Sequence, residues 1–333
     1  MRGCALLRVL LLITTAPGTR PAPQPTTRPG GFPELETMKN QKRDIYAEVT
    51  ASILAQLESG KIPWRKPWAC GMPRNASTGK NYRGINSFLL SFGPYANPGW
   101  LTFRQAKDLG GNVRKGEKST LVVFWKLWET EKDGETKKIP ILRHYNVFNV
   151  EQCEGLPAHL YEIPGAKPWQ DSDDTARQIL AAYIDATDGP DLDHGGNRAV
   201  YSPTHDRVTL PHPETFHSRA GYYETAFHEA AHSTGHRARL NRPGITGLIQ
   251  FGSQEYAKEE LIAEMTAAFL CERCGIVQDD HENAAAYCQG WLRPLKNDPK
   301  MIIQAAAAAQ KAADYIAHET PATQAADDTA AAA

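Results

Sequence analysis

The sequence predicts an α+β protein of two domains, an N-terminal α+β domain followed by a mainly helical domain with a small sheet. Three observations predict it. The chain is near neutral, with 37 Lys+Arg against 38 Asp+Glu, yet its charge segregates. Residues 38–150 carry 19 basic and 9 acidic side chains, and residues 151–333 carry 14 and 27. Runs rich in Val, Phe and Tyr, which suit strands, concentrate in the basic half, whereas helical periodicity dominates the acidic half. A Pro/Gly-containing segment near 155–170 separates the two. Domains are therefore expected at 38–160 and 170–318.

The elements follow in order. MRGCALLRVLLLITTAPGT at the start has a basic residue, an apolar stretch and small residues, a faint likeness to a secretory leader. Arg8 interrupts it and it is too short to span a bilayer, so 1–37 reads as a disordered or non-native extension. No other segment approaches 18 apolar residues, which points to a soluble, cytoplasmic protein with no membrane partner. Residues 44–58 place Ile45, Val49, Ile53, Leu54 and Leu57 at helical spacing and stop at Gly60. A Pro/Trp/Gly-rich stretch to about 99 reads as loops with short strands. Residues 119–127 and 144–150 read as strands around the charged, hairpin-like turn ETEKDGET at 129–136. A helix is expected at 173–186, then short strands at 198–201 and 206–210. AGYYETAFHEAAHSTGH (220–236) is helical, with Ala226, Phe227, Ala230 and Ala231 on an apolar side and Gly235 where a helix stops. FGSQEYAKEELIAEMTAAFLCERCG (251–275) is a second helix, N-capped by Ser253. Helices at 282–296 and 299–317 close the fold, and 319–333 is a low-complexity, disordered tail. Six cysteines do not make a disulfide scaffold in a chain this long, and Cys271-x-x-Cys274 reads as reduced thiols rather than a structural metal site.

Chemistry concentrates in FHEAAHSTGH (227–236). His228 and His232 are four apart and share a helix face, so both imidazoles can reach one Zn²⁺. Glu229 beside them suits a general base in metal-assisted hydrolysis of a peptide bond. A catalytic zinc takes three protein ligands. The metzincin spacing asks for His at 238, which is Ala238. The following helix instead offers Glu260 and Glu264, i and i+4, in the arrangement of gluzincins, where the first acid binds metal and the second orients a ligand histidine. Glu260 is taken as ligand and Glu264 as the orienting acid, with Glu259 as the fallback. Tyr222, Tyr223, His205 and His236 are candidate donors to a developing oxyanion. Arg207–Leu210 is the candidate edge strand for an extended substrate.

The basic half is also aromatic, holding five of the seven Trp, including Trp100, Trp125 and Trp128. Cations interleave with rings, the mixture that single-stranded nucleic acid binders use to track phosphates and stack bases. The candidate contacts are Trp64, Arg65, Lys66, Trp68, Lys80, Tyr82, Arg83, Arg104, Lys107, Arg114, Lys115 and Lys118.

From about Met38 to Ile316 the chain resembles the ArdC-type antirestriction proteins of conjugative plasmids and the similar N-terminal region of plasmid-encoded primases. The matching segments are RDIYAEVTASILAQLESGKIPWRKPW, NASTGKNYRGIN, WLTFRQAKDLGGNVRKGEKSTLVVFWK and YNVFNVEQCEGLP, then YSPTHDRVTLP, HEAAHSTGH, RLNR, FGSQEYAKEELIAEMTAAFLC and AQKAADYI. The resemblance implies a single-stranded-DNA-binding domain followed by a zincin-like metallopeptidase domain, and a role in protecting incoming plasmid DNA. By position it implies His228, His232 and Glu260 as the zinc set with Glu229 catalytic. Ala230-Ala231 stands where members often have Leu-Thr, which leaves the metal face intact. The protein substrate is not implied. The competing expectation is a DNA-coating protection protein with a structural or vestigial metal site. An intact Glu229 argues against it, since a structural site has no use for a base. A primase is not the expected reading: the chain is short for an added catalytic domain, and the basic half shows no acidic polymerase cluster.

Overall fold

Amphipathic spacing of Ile45, Val49, Ile53 and Leu57 produces helix α1 (Ile45–Glu58), which turns its apolar stripe inward. The computed structural model describes residues 44–64, 71–91, 93–132, 135–163, 169–247, 252–277 and 284–319, with backbone alone over 125–132, 135–141, 169–173 and 284–286. The expectations for 1–37 and for most of the C-terminal tail lie outside the described residues. After α1 come β1 (Arg74–Asn75), α2 (Ile85–Ser91), β2 (Gly99–Thr102) and α3 (Phe103–Asp108). Thr102 and Gln105 close α3 with a reciprocal capping box. Then follow β3 (Asn112–Val113), β4 (Thr120–Lys132), β5 (Glu135–Asn149) and β6 (Cys153–Glu154). The main sheet runs β1-β2-β5-β4, with β1 parallel to β2 and the other pairs antiparallel. The β4–β5 hairpin extends into the charged segment that the sequence reading made a turn, because backbone pairing continues to Lys132↔Glu135.

The second half begins with α4 (Trp169–Ile184), followed by a small sheet of β7 (Asp191–His194), β8 (Val200–Ser202) and β9 (Arg207–Leu210). Its order is β7-β9-β8. Helices α5 (Arg219–Thr234), α6 (Pro243–Thr246), α7 (Gln254–Cys274), α8 (Ala284–Asn297) and α9 (Met301–Ile316) complete the chain. Gly275, at φ 75°, ends α7 in the left-handed conformation that glycine adopts without strain. The α+β class matches the expectation. Helices α2, α3 and α6 and strands β3, β6 and β7 were not anticipated. INSFLLS is too short to show periodicity, and PGIT is a single turn.

One core runs through both halves. Ile45, Val49, Ile53 and Trp64 pack in the same cluster as Phe227, Met265, Leu295 and Met301. Phe88 of α2 stacks on Phe269 of α7 with centroids 4.6 Å apart. Smaller clusters sit on the main sheet, around Trp100, Val122 and Val147 and around Leu101, Val150 and Cys153. Cys271 and Cys274 are buried in the large core. Among the described residues no helix is long and apolar enough to cross a membrane.

Candidate metal centre

Helix α5 starts where the Ser218 hydroxyl accepts the Gly221 N–H, 3.0 Å away. It buries Ala226, Phe227, Ala230 and Ala231, and these mostly small side chains let α5 lie close against α7. The 3.6-residue turn then places His228 and His232 side by side, Nε2 to Nε2 3.2 Å. From α7, Glu260 reaches both, with Oε2 3.8 Å from His228 Nε2 and Oε1 3.7 Å from His232 Nε2. Among the described residues this is the group of three whose ligand atoms lie within 4.8 Å of one another. A tetrahedral ion with ligands about 2.0–2.2 Å away sets those ligands about 3.3–3.6 Å apart. The two Nε2 atoms, 3.2 Å apart, match such an edge, and one carboxylate oxygen of Glu260 completes a set lying within 4.8 Å, so with a small closing of the carboxylate the donor set fits a divalent cation. Glu229 is buried directly beside His228.

The carboxylate facing His232 Nδ1 is Glu259, at 3.4 Å. Arg242 holds Glu259 in turn, Nε to Oε2 3.0 Å and Nη2 to Oε1 2.5 Å. Burial would raise the Glu259 pKa, but the hydrogen bonds from His232 and Arg242 outweigh it and hold the carboxyl below its usual range. Burial likewise opposes a charged His232, yet the Glu259 hydrogen bond and the charges of Glu260 and Glu229 lift its pKa to about 9. Tyr256 lies one turn before Glu260 and bonds to its carboxylate. Burial first, then the charge and hydrogen bond of Glu260, push the phenol up, so it remains a donor. Glu264, the expected orienting acid, is buried one turn beyond Glu260.

The far end of α5 is anchored separately. The Arg239 side chain is fully buried and pairs with Asp206, whose Oδ1 also accepts the Tyr201 hydroxyl at 2.8 Å. Arg239 Nε donates to Ser233 O at 2.7 Å, which ties this pair to α5. His236 Nδ1 lies 3.5 Å from Asp206 Oδ2. Of the other expected oxyanion donors, Tyr223 is packed in the core. The Tyr222 hydroxyl is 3.0 Å from His194 Nε2, and His205 Nδ1 is 3.1 Å from Ser202 Oγ. The substrate-strand expectation is corrected. Arg207–Leu210 is the middle strand β9, paired with β7 on one side and β8 on the other, so its backbone has no edge to offer.

The expected nucleic-acid contacts divide. Trp64 is 3% exposed, packs edge-on against Trp291 and donates to the Tyr287 hydroxyl at 3.2 Å. Tyr82 is 8% exposed in the cluster under the main sheet. Arg83 is ion-paired to buried Asp314 of α9. These three hold the fold together, which corrects their reading as surface contacts. Arg65, Lys66 and Trp68 lie outside the described residues. Lys80, Arg104, Lys107, Arg114, Lys115 and Lys118 are exposed. Arg104 approaches Asp108 only at 3.8 Å, whereas Arg114 is paired to Glu117 at 2.7 Å. Lys107 lies 5.9 Å above the ring of Phe103, which is 54% exposed and was not anticipated.

Sequence reasoning thus reached the two histidines, Glu229 and the helix carrying Glu260. It missed Arg242, Tyr256 and the Arg239–Asp206 pair. The available signal was the cationic RLNRPG just past the helix stop, and a tyrosine four residues before a candidate ligand.

Comparison with known proteins adds to this geometry. Residues 179–308 match the family model of a zincin-like metallopeptidase, and residues 43–148 that of the N-terminal domain of anti-restriction factor ArdC. The chain is similar to the crystal structure of antirestriction protein ArdC from plasmid R388 in its metal-free form. The identity is 42% and the TM-score 0.67, over 82% of this chain and 97% of that one. The Mn(II)-bound structure of the same protein gives 41%, 0.66, 83% and 98%. An uncharacterised protein, y4eC of Sinorhizobium fredii, is 34% identical over 82% of this chain and 91% of its own length. A DNA primase TraC of Escherichia coli is 37% identical over 84% of this chain, which spans only 27% of that primase.

Proposed function

The chain belongs to the ArdC antirestriction family, and on that premise we propose that it binds single-stranded DNA and carries a zinc-dependent peptidase centre that acts during protection of incoming plasmid DNA. The observation that carries the reading is the convergence of His228 Nε2 and His232 Nε2, 3.2 Å apart, on the Glu260 carboxylate, whose Oε2 lies 3.8 Å from the first and Oε1 3.7 Å from the second, with Glu229 beside them. These three side chains would hold the ion. When bound, it supplies Lewis acidity at a scissile carbonyl and makes water more acidic. Glu229 takes the proton from attacking water on its carboxylate and returns it to the leaving amine. Tyr256 holds Glu260 through its phenol and stands within the field of Glu229. Glu259 holds His232 through Nδ1, and Glu264 is the further buried acid on the same helix. Mn(II) in the R388 relative supports a divalent cation, and the two-histidine, one-carboxylate donor set suits zinc. The cytoplasm is the compartment such a role requires.

For the DNA-binding half, the support is the net basic charge of 38–150 and the exposed Lys80, Arg104, Lys107, Arg114, Lys115 and Lys118. The test is a paired measurement on the full chain. Bound zinc is quantified, and binding to single- and double-stranded oligonucleotides is followed across salt, for wild type and His228→Ala. Near-stoichiometric zinc that is lost in the variant, with strand-selective, salt-sensitive binding retained in both, is expected. Absence of zinc from wild type with DNA binding intact would leave a DNA-coating protein and overturn the peptidase reading. Zinc without DNA binding would overturn the role given to the basic half.

A further inference from the structure

We propose that Arg242 is a positioning residue for the metal centre: by clamping Glu259 it fixes the acceptor of the His232 Nδ1–H and leaves Nε2 as the nitrogen offered to the ion. The inference rests on the divalent-metal reading of this site.

Arg242 is buried, and each of its guanidinium nitrogens has a partner. Nε and Nη2 fork onto the two oxygens of Glu259 at 3.0 and 2.5 Å. Nη1 donates to Thr234 Oγ1 at 2.6 Å, and Nη2 also donates to Ala231 O at 2.7 Å. Ala231 and Thr234 flank His232 on the last turn of α5. One planar group therefore ties the carboxylate of α7 to the stretch of α5 that carries the ligand. A forked guanidinium fixes the plane of a carboxylate, which a point charge such as lysine cannot do. Glu259 Oε1, fixed in that way, faces His232 Nδ1 at 3.4 Å. A neutral imidazole that donates from Nδ1 keeps its lone pair on Nε2, the atom lying 3.2 Å from His228 Nε2 and 3.7 Å from Glu260 Oε1.

The surrounding chain is shaped to bring this group in. After Gly235 the backbone folds back on the helix end, with Leu240 N–H on Thr234 O at 2.9 Å and Arg242 N–H on Gly235 O at 3.0 Å. A Cβ at Gly235 would stand 3.0 Å from Arg242 Nη2 and 2.5 Å from Ile245 Cγ1. A Cβ at Gly244 would stand 2.7 Å from Glu259 Oε2. Two glycines thus clear the space in which arginine and carboxylate meet. A buried ion pair recovers little net stability, because desolvation offsets the attraction. Orientation of the ligand is what this pair provides.

The test is the Zn²⁺ affinity of the full chain, measured by competition with a chromophoric chelator. The proteins are wild type, His228→Ala, Arg242→Lys, Glu259→Gln and the double variant Arg242→Met with Glu259→Gln. Loss of about 10–100-fold in affinity is expected for Arg242→Lys and for Glu259→Gln, the usual effect of removing a group that orients a ligand. The double variant strands no buried charge, so it keeps the fold if a single variant does not, and the same loss is expected. Nitrogen-15 NMR of zinc-loaded wild type, with His232 assigned through a substitution at that position, needs no folding control. It should show Nε2 ligated and a slowly exchanging Nδ1–H. Affinities within twofold of wild type in folded variants, or ligation of His232 through Nδ1, would overturn the inference alone. Wild type whose zinc uptake equals that of His228→Ala overturns the metal reading itself, and this inference with it.

Discussion

Replacing Asp206 by Asn isolates the pair that anchors the end of the site helix. Asp206 sits at φ 49°, a conformation asparagine also tolerates, so the backbone is undisturbed. Asn keeps one accepting oxygen for Arg239 Nη2 and Tyr201, and removes the charge together with the Oδ2 acceptor of Arg239 Nη1. The Arg239 side chain is 0% exposed and that of Asp206 is 29% exposed. Removing one partner of a fully buried pair costs about 3–5 kcal/mol, whereas an exposed pair is worth about 0–1 kcal/mol. With one partner buried and the other about a third open, the expected loss is about 2–3 kcal/mol. That corresponds to a fall in Tm of about 4–12 °C for a chain of this size. The assay is urea and thermal denaturation of both proteins from pH 7 to pH 3. Burial would raise the Asp206 pKa, but the Arg239 and Tyr201 hydrogen bonds prevail and hold it below its ordinary value of 3.8. A depressed pKa means that the contribution is complete above about pH 4 and disappears as the pH falls through the folded-state value. The gap between wild type and variant should therefore narrow on acidification. A gap under about 0.5 kcal/mol at pH 7, or one that stays constant down to pH 3, would refute the reasoning.

Three further outcomes are expected. Gly235→Ala forces a methyl to within 2.5 Å of Ile245 Cγ1, so α6 must shift, at a cost of about 1–3 kcal/mol. A denaturation midpoint unchanged from wild type would contradict that packing. With its pKa raised to about 9, metal-free His232 is protonated at neutral pH and must lose a proton to become a ligand. Zinc affinity should accordingly rise with pH up to about 9 and level off above it, with proton release visible when calorimetry is repeated in buffers of different ionisation enthalpy. A flat profile from pH 6 to 9 would contradict this. Changing Arg104 or Lys107 to Ala should weaken single-stranded DNA binding and reduce the salt slope by about 0.7 for each phosphate no longer neutralised, read by fluorescence anisotropy. An unaltered slope would place the DNA elsewhere on the basic half.

What the sequence disclosed depended on whether the signal was local. His228, Glu229 and His232 are legible because one helical turn fixes their relation, whatever the rest of the chain does. Glu260 is legible as an acid on the next amphipathic helix, but the choice among Glu259, Glu260 and Glu264 depends on how α7 is rotated against α5. The periodicity of α7 cannot supply that angle, because thirteen of its residues are buried. Glu259 faces His232 while forked onto Arg242, which arrives from a turn of irregular chain. The basic half misled in a specific way. Trp64 and Tyr82 have the composition of stacking residues and the burial of core residues, and composition does not separate the two. Exposed Phe103 went unnoticed because a single phenylalanine after a strand normally points inward.

The shared core changes what the pairing of a basic half with a peptidase-like half can mean. If the halves were tethered by a linker, DNA binding would only concentrate the site near its target. Here α1 packs with α8 and α9 in one hydrophobic cluster, Trp64 rests on Trp291, and the Thr50 hydroxyl bonds to Pro299 O at 2.6 Å. Arg83 is fixed to Asp314, and the Gly84 N–H donates to Gln310 Oε1 at 2.9 Å. Phe88 stacks on Phe269, a residue of the helix that carries Glu260. Among the described residues, α1 and α2 are joined to the second half by buried rings and a partly buried ion pair. On the proposed reading, the basic half meets the helices around the metal site through packed side chains of α1 and α2, in place of a flexible tether.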